Sequence, residues 1–351
     1  MTADPGGNAT ADSPPLSSAD LAVATRGLVK SYGRHKALVG LDMSVPRGRV
    51  YGFLGPNGSG KTTALRLLTG LLRPSAGTIA LFGTPYTWHD RKRLFQVGSL
   101  IETPSFYPYL SGRENLLVLS AAGPLTDPKR IDQVLDYVGM SGRSKDAVQT
   151  YSLGMKQRLG IAAAMLSDPA LLLLDEPANG LDPGGIVAMR ETLRYFTESL
   201  GKTVVISSHQ LHEVELLADV VGIIDQGRLL REGDLQQLLS DAGRVKVRVA
   251  PDEMARAAEV LGRLAPGRPL YGVDSGEQAG WFTVGTSPNR AAEINRALVE
   301  AGIFASGLEP GSDLESVFLE LTGSGAAVHD RPSDAAHMGG PLPPQMPGTA
   351  S

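Results

Sequence analysis

One stretch constrains this chain more than any other: Gly55-Pro56-Asn57-Gly58-Ser59-Gly60-Lys61-Thr62. It follows the apolar run Val50-Tyr51-Gly52-Phe53-Leu54 and precedes the helical pattern Ala64-Leu65-Arg66-Leu67-Leu68. Strand, glycine-rich loop and helix form the context in which G-x-x-x-x-G-K-[ST] cradles a nucleotide's phosphates. Glycines let the backbone curl until successive N–H groups point at one anion. The helix that follows adds its positive N-terminal end. In that geometry Lys61 reaches the β- and γ-phosphates and the Thr62 hydroxyl ligates Mg²⁺. An ordinary glycine-rich turn does not account for the agreement of every fixed position with both flanking elements.

Composition narrows the setting. A chain of 351 residues has ample length for one large domain or two. Lys and Arg number 33 against 37 Asp and Glu, a net charge of −4, which argues against bulk electrostatic binding of nucleic acid. There is no cysteine, which excludes disulfides, thiol catalysis and cysteine-based zinc sites. The N-terminus is polar and acidic, without the basic and apolar regions of a secretory signal. No apolar run is long enough to span a bilayer. The expectation is a soluble, cytoplasmic protein whose membrane role, if any, runs through a partner.

Residues 1–20 are rich in Ala, Asp, Ser, Gly and Pro and read as a disordered tail. Strand-like runs follow at residues 21–29 and 36–45, with Tyr32-Gly33 between them. A strand is expected at residues 78–83, a polar, basic helix around 87–95 and a further strand at 97–101. Residues 112–142 are helical in pattern, broken at Gly123-Pro124. Tyr151-Ser152-Leu153-Gly154-Met155-Lys156-Gln157-Arg158 opens another helix. The apolar strand at 171–174 fits a sheet covered on both faces. A helix at 185–200, a strand at 203–207, a helix at 210–218 and a strand at 220–225 follow. This alternation predicts a largely parallel α/β sheet. Beyond residue 240 the order is β-α-β-β-α-β with an added helix, including a strand at 304–308 and a last helix at 314–321, as in ferredoxin-like modules. That module carries no catalytic constellation. Residues 324–351 are Gly-, Pro-, Ala- and Ser-rich and read as a second disordered tail. The division expected is 1–20 tail, 21–240 nucleotide-binding domain, 241–323 small α+β domain and 324–351 tail.

Asp175-Glu176 ends the apolar strand at 171–174. An open α/β sheet binds ligands at the C-terminal ends of its strands, so both carboxylates are placed for chemistry. Asp175 would hold Mg²⁺ through water, and Glu176 would be the base that activates the attacking water.

With these motifs in order, the chain resembles an ABC transporter ATP-binding subunit over residues 21–239. Gly55, Pro56, Asn57, Gly58, Ser59, Gly60, Lys61 and Thr62, with Thr63 behind them, match the Walker A loop. Ser152-Leu153-Gly154-Met155-Lys156-Gln157 matches the signature motif. Leu171-Leu172-Leu173-Leu174-Asp175-Glu176 matches Walker B, Asn179-Gly180-Leu181-Asp182 the D-loop, and Ser207-Ser208-His209 the switch-histidine region. The resemblance implies a P-loop ABC ATPase domain: a mainly parallel sheet with an antiparallel β-subdomain and a helical subdomain. It implies that Tyr32 stacks on adenine and that His209 bonds the γ-phosphate and positions Glu176 with its water. It further implies that Ser152 and Gly154 contact the γ-phosphate held by a second subunit, and that Asp182 links the two sites. His212, three residues beyond His209, reads as a solvent-facing helix residue, since no further metal ligands cluster there.

Two departures stand out. The family's signature more often reads L-S-G-G-Q; here Tyr151 replaces the Leu, Leu153 the first paired glycine, and Met155-Lys156 precede Gln157. Glu102 stands where most members have a Gln that touches Mg²⁺ and senses the membrane partner. With Pro104, Phe106, Tyr107 and Pro108 behind it, Glu102 resembles the subgroup handling peptide antibiotics such as bacitracin and lantibiotics. In that position it is a candidate metal ligand. Each motif occurs once, so the resemblance implies a homodimer, or a paired ABC subunit, with two composite ATP sites. It also implies a separate integral membrane permease seated near residues 102–109, at the cytoplasmic face of the membrane, with no nucleic acid. Export of an antibiotic, peptide or lipid-like cargo is the leading reading. A non-transport ABC ATPase acting on ribosomes or DNA, or a regulatory protein with weak ATPase, are the alternatives.

Overall fold

The computed structural model describes residues 18–87, 91–102, 105–121, 127–241, 243–265, 270–273, 280–286, 288–311 and 314–322. Both expected tails beyond these bounds, the break at Gly123-Pro124, residues 88–90 of the expected basic helix, and Thr103 and Pro104 lie outside the described residues.

In chain order the first part comprises β1 (Leu21–Tyr32), β2 (His35–Leu41), β3 (Ser44–Pro46), β4 (Val50–Leu54), α1 (Lys61–Leu68), β5 (Ala76–Leu81), β6 (Thr84–Tyr86) and β7 (Val97–Leu100). Next come α2 (Gly112–Ala121), α3 (Pro128–Tyr137), α4 (Leu153–Ala164), β8 (Leu171–Asp175), α5 (Pro183–Glu198), β9 (Thr203–Ser208) and α6 (Leu211–Glu215). Then follow β10 (Val220–Asp225), β11 (Arg228–Asp234), α7 (Leu235–Asp241), β12 (Arg244–Arg248), α8 (Met254–Leu264), β13 (Leu270–Val273), β14 (Trp281–Gly285), α9 (Ala291–Glu300), β15 (Gly307–Pro310) and α10 (Leu314–Thr322).

The central sheet has the order β11-β10-β4-β9-β8-β7. Every pairing in it is parallel except that of β10 with β11. Both faces are covered, which is why Leu171, Leu172, Leu173 and Leu174 are all fully buried and show no alternation. One face packs on α4, α5 and α6 and the other on α1 and an antiparallel sheet, β2-β1-β5-β6 with β3 on β1. Gly52 sits where α6 presses against β4. A Cβ there would lie 2.2 Å from Val214 Cγ1.

The expected strand at 36–45 is divided: β2 ends at Leu41 and β3 begins at Ser44. The expected basic helix is represented by 3-10 turns at Arg91–Gln96. The helix expected over 210–218 contracts to Leu211–Glu215, and the strand expected at 304–308 lies at Gly307–Pro310. The strand β11 has no counterpart in the sequence reading. It is a charged edge strand, the form that resists edge-to-edge pairing, and so reads as a loop. Its hairpin turn is Gln226-Gly227, both with positive φ (47° and 76°), as a type I′ turn requires.

The last sheet, β13-β14-β12-β15, is antiparallel throughout and packs on α8 and α9 in its own core of Val245, Val247, Leu261, Phe282, Ile294 and Leu298. The chain then returns. Helix α10 buries Leu314 and Val317 in the core that contains Val214 and Leu217. The Glu215 carboxylate, at the end of α6, accepts the Leu314 N–H at 3.1 Å. This satisfies an orphan donor and sets a negative charge at the helix's positive end.

Removing Leu314's side chain leaves a cavity in the large core. Leu314→Ala is expected to cost about 2–5 kcal/mol, read as a lower unfolding temperature. Phe304→Ser, at a position 72% exposed, is expected to change stability by less than about 0.5 kcal/mol.

Candidate nucleotide site

The central strand β4 is buried along its whole length and delivers Gly55 to its C-terminal end. Only glycine fits there, since a Cβ would stand 2.2 Å from the Ile224 carbonyl. Gly60 closes the loop in the left-handed region, at φ 110°, and caps α1. A side chain at Gly60 would meet the Ala37 carbonyl at 2.6 Å. The loop is therefore held to its shape by β2 and β10 around it.

Lys61 is buried, and its ammonium donates to the Gly55 carbonyl at 2.7 Å and the Pro56 carbonyl at 3.3 Å. Glu176 Oε1 is 3.7 Å from Lys61 Nζ. Burial pulls the Lys61 pKa down, while the charges of Glu176 and Asp175 act the other way. The ammonium thus lies among two backbone carbonyls and one carboxylate.

Three elements converge on Asp175. The Thr62 hydroxyl, in the first turn of α1, donates to its Oδ2 at 2.8 Å. The Ser207 hydroxyl, on β9, donates to its Oδ1. Ser207 also receives the Glu176 N–H, at 3.0 Å on its Oγ and 3.2 Å on its carbonyl. Glu176 has a positive φ, 49°, which turns its side chain off the strand. Its Oε2 accepts from His209 Nδ1 at 2.8 Å. An ionised carboxylate is acceptor-only, so Nδ1 carries the proton and Nε2 is left for another partner.

The cleft over this loop, ≈ 360 Å³, is lined by residues that include Tyr32, Asn57, Gly58, Lys61, Thr62 and Glu176. Gly60, Thr63, His35 and Ala37 complete its wall. Tyr32 is 46% exposed at the end of β1, with the Lys30 ammonium 5.2 Å from its ring centroid. A second cleft, ≈ 300 Å³, is bordered by Glu102, Leu153, Gln157, Asp175, Glu176 and Gly180. Ser152 caps α4, its Oγ accepting the Met155 N–H at 3.3 Å. Gly154 lies in the first turn of that helix, and Asp182 stands at the cap position of α5. None of these three lines the cleft with Lys61, so within one chain they stand apart from the phosphate loop.

Glu102 is placed differently from Thr62 and Asp175. Its carboxylate takes the guanidinium of Arg66, on the second turn of α1, and is 64% exposed. Sequence reading did not single out Ser207 by itself, nor Arg66 or Lys30. Ser207 carried a faint signal, two residues ahead of His209 at a strand end. Arg66 carried none, because its partner Glu102 stands 36 residues away. Among the described residues no group of three His, Cys, Asp or Glu side chains is placed to hold a metal. The available donors are one hydroxyl and one carboxylate, a set that suits a hard ion shared with phosphates.

A protein-family model described as ABC transporter matches residues 38–179. The bacitracin transport ATP-binding protein of Bacillus licheniformis is 38% identical over 306 residues, covering 86% of this chain and 98% of that protein. The lantibiotic transport ATP-binding protein of Streptococcus pyogenes is 43% identical over 59% of this chain and 88% of its own length. The daunorubicin resistance ATP-binding protein of Streptomyces coeruleorubidus is 35% identical over 89% of this chain and 99% of its own. Among solved structures, cbiO1 of Clostridium perfringens, part of the cbiONQ transporter complex, superposes with a TM-score of 0.58 at 28% identity, over 62% of this chain and 90% of that one. The chain belongs to the ABC transporter family, as an ATP-binding subunit. It is a P-loop ABC ATPase with a small α+β module after the nucleotide-binding part.

Ser207 is fully buried and holds both carboxylate-bearing residues. Ser207→Ala takes one donor from the half-buried Asp175 carboxylate, at a cost of about 0.5–1.5 kcal/mol. Turnover of ATP by the folded variant is expected to fall by about ten-fold or more, with a circular-dichroism spectrum unchanged from wild type.

Proposed function

We propose that the protein is the ATP-hydrolysing subunit of an exporter that moves an antibiotic, peptide or lipid-like cargo through a separate membrane permease. The observation that carries the chemistry is the joint placement of Lys61, Thr62, Asp175, Glu176 and His209 at the C-terminal edge of one sheet. The names of the relatives, which specify bacitracin, lantibiotic and daunorubicin, support the cargo class.

In this reading the phosphates occupy the Gly55 to Thr63 cradle and draw Lys61 off the carbonyls it now bonds. Thr62 and Asp175 would hold Mg²⁺, which supplies charge neutralisation at the β- and γ-oxygens. Glu176 takes the proton of the attacking water. His209 orients that carboxylate through Nδ1 and offers Nε2 to the γ-phosphate. Tyr32 presents an open ring at the mouth of the cleft for the adenine.

Ser152, Gly154 and Asp182 serve a second subunit. The capped N-terminus of α4 would meet the γ-phosphate held by the partner's loop. ATP then bridges two cassettes, and loss of the γ-phosphate releases them, a ligand-biased two-state equilibrium. Tyr107 and Tyr109, 62% and 82% exposed, form an aromatic surface fit for the permease. No helix among the described residues is long and apolar enough to cross a membrane, which fits a subunit held at the cytoplasmic face through that partner. The described module from Arg244 onward is an accessory domain whose closing helix returns to α6.

Glu176→Gln is expected to abolish steady hydrolysis while ATP still binds, so that the variant accumulates as a dimer in ATP and magnesium by size-exclusion chromatography. Undiminished turnover would remove Glu176 from the role of base.

A further inference from the structure

The exposed ring of Tyr32 stands at the rim of the cleft over the phosphate loop. Tyr32 is the last residue of β1; Gly33 and Arg34 turn the chain into β2, and Tyr32 pairs with His35 across that turn. A side chain exposed at the tip of a hairpin loses rotamer freedom when a ligand lies on it, and the loss weakens binding. A ring held in place beforehand escapes most of that cost.

Lys30 is placed to hold it. The two residues are i and i+2 on one strand, so their side chains leave the same face. The Lys30 ammonium stands over the ring, 5.2 Å from its centroid. Tyr32 borders the cleft and Lys30 does not. The ammonium therefore meets the ring from outside the cleft and leaves the other ring face to a ligand. The same ammonium donates to the Arg73 carbonyl at 2.8 Å.

Arg73 belongs to the turn between α1 and β5, and that turn is fastened on both sides. The Leu72 N–H donates to the Arg66 carbonyl of α1 at 3.0 Å. The Ser75 N–H donates to the Val29 carbonyl at 2.8 Å, and the Ser31 N–H to Ser75 Oγ at 3.1 Å. Helix α1 opens with Lys61 and Thr62. A path of direct contacts thus runs from the phosphate loop along α1, through Arg73, to Lys30 and Tyr32. The charge acts with the contact. An aromatic face is negative, and a cation on one face draws density away from the other, which then repels the π-electrons of a base less.

We propose that Lys30 is a positioning residue for the base of the nucleotide: it holds the Tyr32 ring in a fixed place relative to the phosphate loop, so that a purine finds a preset platform while its phosphates lie in the Gly55 to Thr63 cradle. Lys30 acts through Tyr32 and not on the phosphates. The inference rests on the reading of Tyr32 as the adenine platform, and the experiment separates the two.

Binding of ADP and of inorganic pyrophosphate, each with magnesium, is measured by isothermal titration calorimetry on the full chain. Only ADP carries a base, and ATP hydrolysis consumes neither. The proteins are wild type, Lys30→Met, Lys30→Arg, Tyr32→Ala and the Lys30→Met/Tyr32→Ala double variant. Tyr32→Ala is expected to weaken ADP by about ten-fold or more. Lys30→Met is expected to weaken ADP by about two- to five-fold, the scale of an exposed cation–π contact, and to leave pyrophosphate unchanged. Lys30→Arg keeps a cation and a donor and is expected to restore ADP binding. In the double variant the loss is expected to equal that of Tyr32→Ala alone. Equal weakening of ADP and pyrophosphate in Lys30→Met would show a general attraction for phosphate and overturn the inference. Undiminished ADP affinity in Lys30→Met, or a Lys30 effect that persists without Tyr32, would overturn it as well. If Lys30→Met does not fold, Lys30→Gln carries the same expectations. No loss of ADP affinity in Tyr32→Ala would instead sink the adenine reading itself.

Discussion

The carboxylate of Asp175 is the point on which the catalytic edge of this molecule depends. Thr62 brings the start of α1 to one oxygen, and Ser207 brings the end of β9 to the other. The side chain itself closes β8. Thr62 lies 113 residues before Asp175 and Ser207 32 after it, so three elements apart in the chain are fixed to one carboxylate. Glu176 follows at once and inherits that rigidity, because its N–H is held by the same Ser207. In the proposed mechanism, preorganisation of this kind keeps Glu176 where it would activate water without further rearrangement.

The parallel sheet makes the convergence possible. The strands β10, β4, β9, β8 and β7 all run the same way, so their C-terminal ends share one edge. Ligand chemistry collects there in open α/β sheets. The phosphate loop leaves from β4, Glu176 from β8 and His209 from β9. The β8–β9 register sets Asp175 opposite Ser207 at that edge.

The accessory part is tied to the same edge by a different route. It begins with β12 immediately after α7 and has a separate core around Val247 and Leu298. Its last helix nevertheless returns to pack on α6 and α7. Helix α6 starts two residues after His209, and Glu215 at its far end caps α10. The covalent and packed path from the module to His209 is therefore short. The Arg66 guanidinium separately ties Glu102, just past β7, to α1.

What could be read from residues alone was whatever depends on local chemistry. The glycine spacing from Gly55 to Gly60, the apolar run before Asp175 and the ordered motifs established the nucleotide chemistry and the α/β architecture. The order of strands and helices after residue 240 was likewise legible, because its period changes are local. The edge strand β11 was not, since its charged residues answer to solvent rather than to a core. Nor were the partners of Glu102 and Asp175, because Arg66 and Ser207 stand 36 and 32 residues away. Only folding decides which of many possible guanidinium or hydroxyl groups arrives at a given carboxylate. The return of α10 to α6, across 99 residues between Glu215 and Leu314, is of the same kind. Motif identity is a property of neighbours in the chain; the pairing of charges is a property of the packed molecule.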